Sequence, residues 1–347
     1  MKKNMKLGLT VLALAALAAC GGGGGSTTPA TTPVVSGPTI PVAPAVSNIV
    51  TTAPLSTYAS GTEELAAFSR LNAERGFCGF GVLAQNAALD KAALAHANWQ
   101  IANNTFGHYE TAGTPFFTGV APNDRVTAAG YSTSSGGVTD ENASNAYNLK
   151  TGYGEIGMRA LLNAPYHLAA LFTGFREVGI SLRNSTDLGA ASPNKVLQLN
   201  LAYKAADGLQ TFGSSDVKTY PCDGSLGISP KMTGENPSPV PGRDLFSNPL
   251  GSTVYVALRE GNVLTITGST MTNMATGAPV TLRAPLTSTN DPNATPNLTY
   301  FRSNQALITA DAALNPFTRY QVTVNGSNNG VAFSRTFAFT TGPTATQ

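Results

Sequence analysis

The chain has 347 residues, of which only 12% are charged and 42% hydrophobic, with three histidines and three cysteines. Its 21 Lys and Arg against 19 Asp and Glu leave a formal charge of +2. No basic patch accompanies that small excess, which argues against a nucleic-acid partner. Lys2, Lys3 and Lys6 precede an apolar run from Leu7 to Ala19 that is too short to span a bilayer. Residues 1–19 therefore read as an export signal.

Leu17-Ala18-Ala19-Cys20 resembles a bacterial lipobox. That resemblance implies a lipid anchor to the membrane through Cys20, the alternative being an ordinary signal with an incidental cysteine. Gly21 stands where an aspartate would retain such a protein at the inner membrane. The expected location is thus the cell envelope, lipid-anchored at the outer membrane and facing the periplasm or the exterior. Removing the signal takes away three Lys and no acid, so 18 bases face 19 acids and the mature charge is −1. Export leaves Cys78 and Cys222, which would form one disulfide closing a long loop, worth roughly 3–5 kcal/mol. Two separate buried thiols are the alternative.

Residues 20–56 are rich in Gly, Ser, Thr and Pro and read as a tether. At Ser60-Gly-Thr-Glu-Glu a helix start follows, with Leu65, Phe68 and Leu71 at helical spacing. A second helix is expected from about Asn86, its apolar face running through Leu89, Ala92, Ala93, His96, Ala97 and Ile101. A third spans about Tyr153 to Leu162, and Pro165 opens a short helix carrying His167. Val178, Ile180 and Leu182, then Leu197, Leu199 and Leu201, alternate with period two and predict an antiparallel hairpin.

Residues 223–245 read as a linker, and 246–347 as strands throughout: Val254–Leu258, Val263–Ile266, Val280–Leu282, Leu298–Phe301, Tyr320–Val324 and Val331–Phe339. About 290 residues remain beyond the tether, which suits two domains, 57–222 and 246–347. The expected fold class is α+β, a layered domain followed by a small β-sandwich.

The first domain resembles the CAP superfamily (SCP or PR-1-like) in its bacterial form. The resemblance rests on Leu71-Asn72-Ala73-Glu74-Arg75, the Ala-rich helix with His96, His108, Glu141-Asn142, Pro165-Tyr166-His167 and Val178-Gly179-Ile180-Ser181. It covers residues 60–205 and implies a CAP-type α-β-α layered domain. It further implies a site tetrad of His108, Glu141, Glu155 and His167. Asp140 stands where the family has Gly, Leu168 replaces its Arg, and Glu155 is placed only by its distance before His167.

Two imidazoles and two carboxylates suit a divalent metal such as Zn, with His108, His167 and Glu141 as ligands. Equally, each Glu would orient a His in a metal-free tetrad, or the set would be a satisfied polar network. Placing His167 in the first turn of a helix works against its protonation. His96, on an apolar helix face, reads as a core histidine, and Trp99 as core or rim. His-Glu-x-x-His, Gly-x-Ser-x-Gly and P-loop patterns are absent.

Leu314-Asn-Pro316-Phe-Thr318-Arg-Tyr320 resembles the tyrosine corner of fibronectin-type and bacterial Ig-like sandwiches. The leading expectation is a surface lipoprotein whose cleft binds a ligand: a small lipid or sterol, a glycan, a protein or a metal. A hydrolase of peptides or cell-envelope material, using the same His and Glu residues with or without a metal, is the alternative. A purely structural or adhesive envelope protein is the third. The sequence leaves the oligomeric state open.

Overall fold

The computed structural model describes residues 46–132, 136–145, 151–189, 194–296 and 298–343. The export signal, Cys20 and the first part of the tether lie outside the described residues. α1 (Glu63–Phe77) is capped by Thr62, whose Oγ1 accepts the N–H of Leu65 at 3.3 Å, with Glu63 and Glu64 in its first turn. α2 (Ala87–Asn103) starts where expected, because Asn86 Oδ1 accepts the N–H groups of Ala88 and Leu89. It ends at Asn104, which takes the left-handed conformation at φ 47°. α3 (Pro122–Ala128) was not anticipated; α4 (Tyr153–Leu161) and α5 (Pro165–Leu171) were.

These helices pack on a mixed sheet of order β1-β3-β4-β2, made of β1 (Ala84–Gln85), β2 (Gly137–Asn145), β3 (Glu177–Asn184) and β4 (Lys195–Tyr203). Only the β1–β3 pair is parallel. The expected hairpin is present, with Val178 opposite Leu201, Ile180 opposite Leu199 and Leu182 opposite Leu197. β4 is buried on both faces. Leu197, Leu199 and Leu201 join the core built with α1, α4 and α5, while Ala202 packs with Leu89 and Ala92 of α2. Helix α2 lies so close to β3 that a Cβ on Gly179 would stand 2.1 Å from the backbone of Leu89 and Asp90.

The C-terminal part contributes two further antiparallel sheets. One has order β5-β6-β9-β8, from β5 (Lys218–Tyr220), β6 (Thr253–Ala257), β8 (Leu286–Thr287) and β9 (Gln305–Thr309). The other has order β11-β10-β7, from β7 (Leu264–Asn273), β10 (Arg319–Asn328) and β11 (Val331–Thr340). Two anticipated strands, Val280–Leu282 and 298–301, form only isolated bridges, whereas β9 was not anticipated. The turn-rich cluster at 325–330 mostly continues the β10–β11 ladder. Asn328 still pairs with Val331, and only Asn329 and Gly330 turn, at φ 50° and 82°. Tyr320 makes the expected corner contact, its hydroxyl accepting the Asn315 N–H at 2.9 Å.

One hydrophobic core runs through both parts: Phe80 and Phe172 pack on Tyr255 of β6, with ring centroids 5.8 and 6.1 Å away. Cys78 and Cys222 are joined by a disulfide across 144 positions, with Cα atoms 5.5 Å apart. The stretch read as a linker is packed, Met232 and Leu245 clustering with Leu250 and Ala164. No helix of the described residues is long and apolar enough to cross a membrane.

Candidate functional site

β2 organises the site. Successive side chains of a strand face opposite ways, so Asp140 and Glu141 serve different partners. Asp140 is buried on the side of α2 and α3, where Arg125 Nη2 donates to its Oδ2 at 2.8 Å and Gln198 Nε2 at 3.1 Å. Its Oδ1 accepts from His108 Nδ1 at 2.8 Å. That hydrogen bond, assisted by the Asp140 charge and opposed by burial, raises the pKa of His108. The imidazole itself is 43% exposed. Arg125 also donates to the His108 carbonyl at 3.0 Å, so one buried guanidinium fixes both ends of this contact.

Glu141 faces α5. Its Oε2 stands 3.7 Å from His167 Nε2, and burial pushes its carboxyl up to about 7 despite the two neighbouring histidines. Pro165 begins α5 after Ala164, which puts His167 in the first turn as expected. The helix terminus, expected to work against protonation of His167, does not decide its charge. Burial, the largest single influence, pulls its pKa down, but the Glu235 carboxylate at 2.8 Å and Glu141 outweigh it and raise it to about 9. A nearby carboxylate in a buried setting outweighs the fraction of a charge at a helix end. The Glu235 side chain is 0% exposed and that of His167 15%.

Between the histidines lies a cavity of about 720 Å³. His108 and His167 border it together with apolar side chains, including Tyr153, Ile156, Leu161 and Met232. Ser229 and residues 231–237 of the stretch read as a linker also border it.

Glu155 is not brought to this place. It stands beside Arg70, Nη1 to Oε1 3.5 Å, with its side chain 42% exposed. The reason is helical geometry: Tyr153, Ile156, Gly157, Ala160 and Leu161 form the α4 face that borders the cavity, and position 155 points off it. The carboxylate that completes the site is Glu235. Gly234-Glu235-Asn236 repeats the Glu-Asn pair sought at 141–142, and that repetition is the signal that was available. Asp140, read as a departure from a family glycine, is the anchor of His108.

No three His, Cys, Asp or Glu side chains among the described residues are disposed to hold a metal ion. His108, Glu141 and His167 are not such a group; the Nδ1 of each imidazole faces a carboxylate of its own. His96 is fully buried, its Nδ1 2.9 Å from Glu110 Oε1 and its Nε2 2.8 Å from the Gly107 carbonyl. It stacks on Trp99, whose indole N–H donates to Thr114 Oγ1 at 2.7 Å. Although burial would raise it, Glu110 is held below its ordinary pKa by His96, the Thr118 N–H and Arg125. This buried set supports from beneath the loop that carries His108.

No family model matches the chain, and no curated protein matches its sequence.

Proposed function

We propose that the chain is an exported, lipid-anchored envelope protein whose CAP-type α-β-α layered part presents a ligand-binding cleft, with an Ig-like β-sandwich behind it. The observation that carries this reading is the cavity of about 720 Å³ with both histidines at its wall. That volume falls in the roughly 300–1,000 Å³ range of small-molecule sites, which are apolar with a few placed polar groups. Each histidine is held by its own carboxylate, His108 by Asp140 and His167 by Glu235, so the polar groups are set before a ligand arrives. The tyrosine corner at Tyr320 supports the sandwich assignment of the last sheets.

Ala160 is exposed and borders the cavity, so Ala160→Trp intrudes on it from the solvent side without replacing a core residue. A small-molecule library screened by ligand-observed NMR against the full chain should yield binders that Ala160→Trp loses. Binders that engage both proteins equally would refute the cleft reading.

The hydrolase alternative keeps one observation in its favour: Glu141, near neutral pKa beside His167, is suited to proton transfer. Turnover of a peptide or envelope substrate, abolished by Glu141→Gln in a folded protein, would establish it. Loss of binding without any turnover would reject it.

A further inference from the structure

The acids around the cavity are already paired and out of a ligand's reach. Glu235, the one acid that borders it, has a fully buried side chain that accepts from His167 Nδ1 at 2.8 Å. Asp140 and Glu141 do not border it, and their side chains are 1% and 7% exposed. Asp140 is held by His108 Nδ1 and Arg125 Nη2, each at 2.8 Å.

The accessible charge at the wall is of the opposite sign. Lys231 borders the cavity and is only partly buried. The lysine ion pairs of the described residues belong to Lys204 and Lys218, so the Lys231 ammonium has no carboxylate of its own. His108 borders the cavity too, and its imidazole is 43% exposed. With Nδ1 turned to Asp140, Nε2 is the nitrogen left for a ligand. The Asp140 contact raises the pKa of the ring and so favours the form with a proton on Nε2 as well.

A ligand that fills the cavity covers both groups. Covering a charge is costly unless a counter-charge comes with it, and the protein has no accessible carboxylate here to supply one. A cationic ligand would add repulsion, and a neutral one would leave the ammonium unpaired. We propose that the cavity recognises an anionic head group, a carboxylate or a phosphate ester, that pairs with Lys231 and His108 while its apolar body lies against Tyr153, Ile156, Leu161 and Met232. This deepens the reading of the cavity as a binding cleft and rests on it. The amides of Asn142 and Asn236, which also border the cavity, suit the remaining oxygens of such a head group.

The probes are 3-phenylpropanoate, phenyl phosphate and 3-phenylpropylamine, titrated by NMR into the full chain at neutral pH. The anions should bind and the amine should bind at least about tenfold more weakly. The tighter of the two anions identifies the head group, and binding of either supports the inference. Lys231→Gln and His108→Gln should each weaken anion binding about tenfold, as loss of one charge-assisted hydrogen bond does. Lys231→Glu should reverse the order and favour the amine. Ala160→Trp should abolish binding of all three. Amine binding as tight as that of the anions overturns the inference while the cleft stands. So does anion binding that Ala160→Trp abolishes but that stays within about threefold of wild type in both Lys231→Gln and His108→Gln. Anions bound equally by Ala160→Trp sit outside the cavity and overturn the inference, the library screen deciding the cleft. No binding of either anion up to about 10 mM does the same. Thermal melts establish that the variants fold, and the Lys231 variants decide if His108→Gln does not.

Discussion

Glu141→Gln should make the protein more stable above neutral pH and change little in acid. Burial lifts this carboxyl from 4.5 to about 7. The gap, at about 1.4 kcal/mol per pH unit, is worth about 3 kcal/mol. Because the folded state holds the proton more tightly than the unfolded state, stability attributable to this group falls as pH rises from 4.5 to 7. Above about 7 the carboxylate is ionised in both states and the whole cost is present; below about 4.5 both are protonated and the cost is gone. Glutamine keeps the shape and removes the ionisation. Urea unfolding at pH 8 should therefore show the variant more stable by up to about 3 kcal/mol, a figure already net of the attraction to His167 and His108, and at pH 4 nearly equal to wild type. His167 contributes its own decline as pH rises from 6.5 toward 9, largely shared by both proteins. A variant equally destabilised at both pH values would refute the reasoning, because it would mean Glu141 is held by contacts rather than strained by desolvation.

The disulfide spans 144 positions, and the chain-entropy relation gives about 5 kcal/mol for such a loop. Cys78→Ser/Cys222→Ser should therefore lower Tm by about 8 °C, and a drop under about 2 °C would contradict it. Asp140→Asn should lower the His108 pKa in an NMR titration, since the carboxylate bond is the main influence raising it. An unchanged value would remove Asp140 as the cause. Gly179→Ala should cost more than about 3 kcal/mol in urea unfolding, its methyl meeting backbone at 2.1 Å. Tyr320→Phe should cost about 1 kcal/mol, the worth of one hydrogen bond, with no change in binding at the cavity.

Much of the helical part was legible because its caps are local chemistry: Asn86 and Pro165 mark starts that the structure keeps. The hairpin was legible because Leu197, Leu199 and Leu201 alternate. What alternation concealed is the other face of β4. Gln198 and Asn200 look solvent-facing, yet both are buried, held by Gln100 at 2.7 Å and by the Leu89 carbonyl at 3.2 Å. The histidines of the site were readable, and Glu141 with them. Asp140 was passed over because adjacent acids on a strand serve opposite faces, which only a strand assignment at 137–145 would have shown. Glu235 was hidden by composition, since a Gly-, Pro- and Ser-rich stretch reads as linker whether or not tertiary contacts order it. Glu155 was misplaced for the opposite reason: spacing along the chain says nothing about which side of α4 faces inward.

The disulfide also has a mechanical consequence. A pull between the two ends of the described chain would travel to Cys78, cross to Cys222 and continue, leaving the residues between them off the direct line of load. His108, Glu141 and His167 lie inside that shunt, whereas Glu235 lies on the loaded strand beyond it. Tension would therefore tug at one wall of the cavity while sparing the other. In a single-molecule stretching experiment, unfolding after reduction of the bond should release roughly 500 Å more contour length than unfolding of the oxidised protein. Force applied to the oxidised protein should disturb the His167–Glu235 contact before it disturbs the His108–Asp140 contact.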